Sequence, residues 1–104
     1  MLTNLELYLL NLKIKSNEST LKVFIKELED CDILKLKILI KASLEVMNTG
    51  HNLIHSIGAE DIKIDEITAE RAEIISKLSE SIRQHTKTMK DLRNKVLGAV
   101  EKFK

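Results

Sequence analysis

The chain has 104 residues, 43% hydrophobic and 32% charged, with a formal net charge of +1. That balance fits one globular domain, residues 1–104, and excludes both a disordered chain and one drawn to nucleic acid or anionic membrane by its overall field. Only Tyr8, Phe24 and Phe103 are aromatic, proline is absent and glycine occurs three times, so the core must be aliphatic and long helices are favoured over a many-turned β fold.

Leu2, Leu5, Leu9 and Leu12 step by three, four and three, which predicts a short amphipathic helix. Residues 10–15 also alternate as a strand would. Ser16-Asn17-Glu18-Ser19 reads as a turn and a helix start, with Ser16 or Asn17 as cap and Glu18 favourable in the first turn. Leu21, Phe24, Ile25 and Leu28 then mark a second short helix. Residues 1–31 are thus expected to form short N-terminal helices. A break near residues 30–32 follows from Glu29-Asp30 at a helix C-terminus and from Asp32 as the next cap.

Two long helices are predicted next, over residues 32–57 and 66–102. The first carries a seam of Ile33, Leu36, Ile40, Ser43, Met47, Gly50, Ile54 and Ile57, with Leu39, Val46 and Leu53 widening the buried stripe. Gly58 fits a C-terminal cap, residues 58–65 a loop, and Asp65 or Thr68 the following N-cap. The last helix carries an unbroken seam of Arg71, Ile75, Leu78, Ile82, His85, Met89, Leu92, Val96, Ala99 and Phe103. A short loop makes the two antiparallel neighbours. Matching them layer by layer sets Gly50 against Ile75, Met47 against Leu78, Ile40 against His85 and Ile33 against Leu92. The expected fold is all-α: a helical bundle built on a long, coiled-coil-like antiparallel hairpin, with one or two shorter N-terminal helices.

In that register the end of the last helix overhangs. Val96, Leu97, Val100 and Phe103, with Arg93 and Lys95 beside them, become the candidate partner-binding residues. Cover by Leu5, Leu9, Phe24 and Leu28 of the same chain is the alternative. Residues 58–81 hold seven acids against three bases, and residues 82–104 hold seven bases against two acids. This suits the helix dipole. It also means that self-pairing through the last helix would be favoured antiparallel.

Chemistry-bearing residues are sparse. His51 and His55 stand four apart, with Glu70 and Glu73 across the predicted hairpin, but no motif completes a metal site. Cys31 lies between Asp30 and Asp32, which disfavour a thiolate. There is no phosphate loop and no nucleophile elbow. No catalytic residue, metal or cofactor is therefore expected. His85, at a seam position, is either a polar layer that fixes register and responds to pH or a boundary histidine reaching solvent or Ser43.

Lys35, Lys37, Lys41 and Glu45 interrupt the most apolar stretch, so no membrane span is expected. The single cysteine, and a start unlike a signal peptide, point to a cytoplasmic setting. The function expected is a non-enzymatic protein–protein interaction module: an adaptor, small regulator, chaperone or assembly subunit that binds a protein partner or itself. The alternative is a nucleic-acid-binding accessory protein using the basic half of the last helix.

Overall fold

A computed structural model describes residues 2–57 and 68–103. Among the described residues three helices follow one another: α1 (Asn4–Leu28), α2 (Ile33–His55) and α3 (Ala69–Lys102). They lie side by side in a rod of 54 × 17 × 17 Å. The expected all-α bundle of long helices is the fold. Among the described residues there is no strand, and no helix is long and apolar enough to cross a membrane.

One N-terminal helix replaces two. α1 starts in a capping box: Glu6 N–H donates to Thr3 Oγ1 at 3.1 Å, and Thr3 N–H donates to Glu6 Oε1 at 3.2 Å. It then runs straight through residues 16–19, where the sequence reading placed a turn. The hydroxyls there bond back along the helix, Ser19 Oγ to the Lys15 carbonyl and Thr20 Oγ1 to the Ser16 carbonyl. Serine and threonine favour a cap only when their oxygen takes a backbone N–H; here each donates to a carbonyl one turn earlier, and no Gly or Pro breaks the chain. The strand alternative for residues 10–15 fails with the turn.

The break after α1 falls where Asp32 stands. Asp32 Oδ1 accepts from Lys35 N–H at 2.7 Å and caps α2. Lys35 also reaches Glu27 across the turn, and Cys31 is buried inside it. Thr68 caps α3 through Arg71 N–H at 3.1 Å. Gly58, the 58–65 loop and Asp65 lie outside the described residues.

α1 is the organising helix. It packs closely on α3 and next on α2, while α2 and α3 touch least. Asn4 meets Arg71, Asn17 meets His85 and Glu18 meets Thr88, so α1 and α3 run parallel. Asn17 also reaches the Val46 carbonyl, and α2 runs antiparallel to both.

The layer-by-layer register between α2 and α3 is corrected by this arrangement. Gly50 faces His85 rather than Ile75, and Met47 shares a groove with Met89 rather than a layer with Leu78. The slip is ten residues, about 15 Å along the axis. Pairing two helices by spacing alone ignores the third. Here α1 takes the centre of the α3 seam, and α2 slides to close the far end.

The overhang disappears as a result. Leu36 and Leu39 of α2 share a core cluster with Leu21, Leu28, Leu92 and Ala99, with Phe24, Ile40, Val96 and Phe103 packed against it. A second cluster, Leu7, Ile14 and Leu78, gathers Leu10, Leu53, Ile54, Ile75 and Ile82 at the other end. The apolar core is therefore in two halves.

Candidate functional site: a buried polar junction and two open apolar surfaces

Between the two apolar halves sits a polar junction that ties all three helices. Asn17 of α1 is its hub. Its Nδ2 donates to the Val46 carbonyl of α2 at 3.2 Å, and its Oδ1 lies 2.6 Å from His85 Nε2 of α3. A carboxamide oxygen only accepts, so His85 donates from Nε2 and its neutral form carries the proton there. His85 is fully buried, and among the described residues its Nδ1 has no hydrogen-bond partner.

Gly50 makes room for this pair. A Cβ on Gly50 would stand 2.5 Å from Asn17 Oδ1 and 2.5 Å from His85 Cε1 and Nε2. Glycine is thus the only residue that lets α2 approach so closely. One turn further along, Thr88 Oγ1 lies 3.0 Å from Glu18 Oε1 and 2.9 Å from the Gln84 carbonyl, so one hydroxyl hydrogen serves two acceptors. Glu18 also faces Lys22 at 3.7 Å.

Burial holds the His85 pKa below the ordinary histidine value, opposed by the negative charge of Glu18. A second ring proton, on Nδ1, would have no acceptor. The junction therefore favours neutral imidazole. Ile40 does not stand opposite His85 as spacing predicts, because the corrected register brings Asn17 and Gly50 there.

The candidate partner-binding residues of α3 separate. Val96 and Phe103 pack against the core cluster, and Val100 is half-buried. Leu97, Arg93 and Lys95 are exposed. α1 and α2 supply the cover, through Phe24, Leu28, Leu36 and Ile40. Leu5 and Leu9, offered as cover by spacing, face solvent instead.

Two of the open apolar surfaces among the described residues bear on partner binding. The first is the outer face of α1, where Leu5, Tyr8, Leu9 and Leu12 are each 44–66% exposed. Their steps of three, one and three set them on one helical face, opposite the buried Leu7, Asn11 and Ile14. The second is the groove between α2 and α3. Met47 and Met89 form its floor, and Asn48, His51, Thr86, Lys90 and Arg93 its sides.

The remaining sequence candidates do not converge. The His51 and His55 rings meet in a tilted contact, centroids 4.1 Å apart and planes at 59°, on the exposed side of α2. Among the described residues no three His, Cys, Asp or Glu side chains gather as metal ligands would. Glu70 and Glu73 lie far from His51, which faces Thr86. Cys31 is buried, its Sγ 3.6 Å from the Leu28 carbonyl oxygen. Asn17, read from sequence as a cap, and Gly50, read as the small partner of Ile75, are the residues that sequence reading misplaced. A glycine inside a helix with no nearby turn signals close approach by a bulky neighbour, and that signal was present.

No protein-family model matches the chain, and neither does any curated protein or solved structure.

Proposed function

We propose that this chain is a non-enzymatic helical interaction module, an adaptor, regulator, chaperone or assembly subunit, that acts as an oligomer in an intracellular setting. The observation that carries the reading is the outer stripe of α1. Leu5, Tyr8, Leu9 and Leu12 expose large side chains on one face, and the core on the opposite face is already satisfied. Water contact with such a stripe is unfavourable, and a docked helix removes it.

The partner with the best fit is a second copy in antiparallel orientation. Glu6 and Lys13 stand seven residues apart on the same flank of the stripe. An antiparallel pair sets each Glu6 against the other chain's Lys13, while a parallel pair sets like charges together. A patch of four side chains is small, so dissociation should be fast and the constant about 10–100 μM.

Light scattering over a wide concentration range tests this. The mass should rise toward that of a dimer in the parent chain and stay monomeric in Leu5→Glu/Leu9→Lys. A parent chain that stays monomeric throughout would refute it.

A second reading, nucleic-acid binding, draws on Arg83, Lys87 and Lys90, which share the exposed face of α3. Glu80 already engages Arg83 at 3.0 Å, and no aromatic side chain interleaves the row. A salt-dependent gel shift on single- and double-stranded nucleic acid separates the two readings.

A further inference from the structure

We propose that the groove between α2 and α3 docks an amphipathic helix of another protein, one whose apolar stripe is flanked by acidic residues. The inference extends the interaction-module reading to a second surface, and its test does not pass through α1.

Three helices around one axis make three seams. α1 closes two of them, against α2 and against α3. The third is the loosest contact in the bundle, and it runs along the rod. A fourth helix is the natural filler of such a seam, as in a four-helix bundle.

The floor suits a docked side chain. Met47 and Met89 are half-buried and line the groove from opposite helices. Methionine is flexible and polarizable, and it adapts to the shape of an incoming apolar residue. Leu44 precedes Met47 by three residues and His51 by seven, which sets it on the same face of α2. It is 58% exposed, so the apolar floor extends past the groove's end.

The rim chooses the partner. Lys90 and Arg93 stand on the α3 side and His51 on the α2 side, and among the described residues no carboxylate lines the groove. Neither Lys90 nor Arg93 makes a salt bridge to a described residue. Cations beside an apolar floor favour carboxylates beside an apolar stripe.

A second copy of this chain does not meet that demand. The outer stripe of α1 is flanked by Glu6, Lys13 and Lys15, and the exposed Leu34 and Ile38 of α2 stand among Lys37 and Lys41. Among the described residues no exposed apolar stripe carries mainly acidic flanks. The occupant is therefore a different protein.

The test uses the full chain and two synthetic model helices of about three heptads with the same Leu seam, one flanked by Glu and one by Lys. Binding is followed by fluorescence anisotropy, and the methionine methyl resonances by NMR. The Glu-flanked helix should bind about tenfold more tightly than the Lys-flanked one, and the Met47 and Met89 methyls should shift. Lys90→Glu/Arg93→Glu should invert that preference without altering the melt. Equal affinities, no binding of either helix, an unchanged preference in the charge-reversed chain, or shifts confined to α1 would each overturn the assignment. Self-association through α1, read by light scattering, would stand or fall separately.

Discussion

Replacing Gly50 by Ala should destabilise the bundle even though alanine is the better helix former. On propensity alone the substitution should stabilise by about 1 kcal/mol. The added methyl, however, would stand 2.5 Å from both Asn17 Oδ1 and His85 Nε2, where atoms cannot remain. Either α2 moves away or the Asn17–His85 hydrogen bond breaks. Overpacking costs about 1–3 kcal/mol, and a buried polar pair left unsatisfied adds about 1–3 kcal/mol. The net loss should be about 2 kcal/mol, a fall in melting temperature of roughly 10 °C for a domain of this size. Gly98 provides the control: nothing lies within 4 Å of a Cβ there, so Gly98→Ala should stabilise by about 0.5–1 kcal/mol. Urea melts followed by circular dichroism measure both. If Gly50→Ala were as stabilising as Gly98→Ala, the close approach of α2 to the junction would be wrong. A double-mutant cycle with His85→Ala sharpens the result, because the Gly50→Ala penalty should shrink once the ring is gone.

Other outcomes follow from the same geometry. Burial lowers the His85 pKa in the folded chain, so the unfolded chain binds its proton more readily. The associated stability is fully present above the unfolded-state value, about 6.5, and is lost as pH falls from there toward the lower folded value. The urea midpoint should therefore drop on acidification from pH 7.5, and His85→Leu should remove that component of the slope; an identical slope in the variant would contradict it. Asn17→Ala strands His85 Nε2 and removes the added bond to the Val46 carbonyl, which keeps its intrahelical partner, and should cost about 1–3 kcal/mol in the same melts. Asp32→Ala removes the cap of α2 and should cost about 1 kcal/mol, with hydrogen exchange accelerated in the first turn of that helix.

Much of the architecture was legible in the pattern of apolar residues, because helical periodicity is a local property. The seam of α3, the break before Asp32 and the cap at Thr68 could all be read from neighbours in sequence. The capping box at Thr3 and Glu6 was equally readable, as Thr-x-x-Glu. The turn at residues 16–19 was misread for a physical reason. Ser, Asn and Thr serve a cap or a helix interior according to whether the oxygen bonds forward to N–H or back to C=O, and sequence does not say which.

The register failed for a different reason. Two apolar seams with the same spacing fit each other at several offsets. What selects one offset is the few residues that fit nowhere else, here Gly50, Asn17 and His85. Their meeting involves three helices and is invisible to pairwise matching. The proposed partner surface moves with the register, to the outer face of α1, because Val96 and Phe103 at the end of α3 pack against the core cluster.

The antiparallel self-pairing of α1 is tested most directly by sedimentation equilibrium on four chains: the parent, Glu6→Lys, Lys13→Glu and the double swap. Antiparallel pairing predicts that each single change sets like charges against each other in both contacts and weakens the dimer by about three- to tenfold, while the double swap restores it. A double swap no stronger than the singles, or a parent chain that is monomeric at every concentration, would contradict the account.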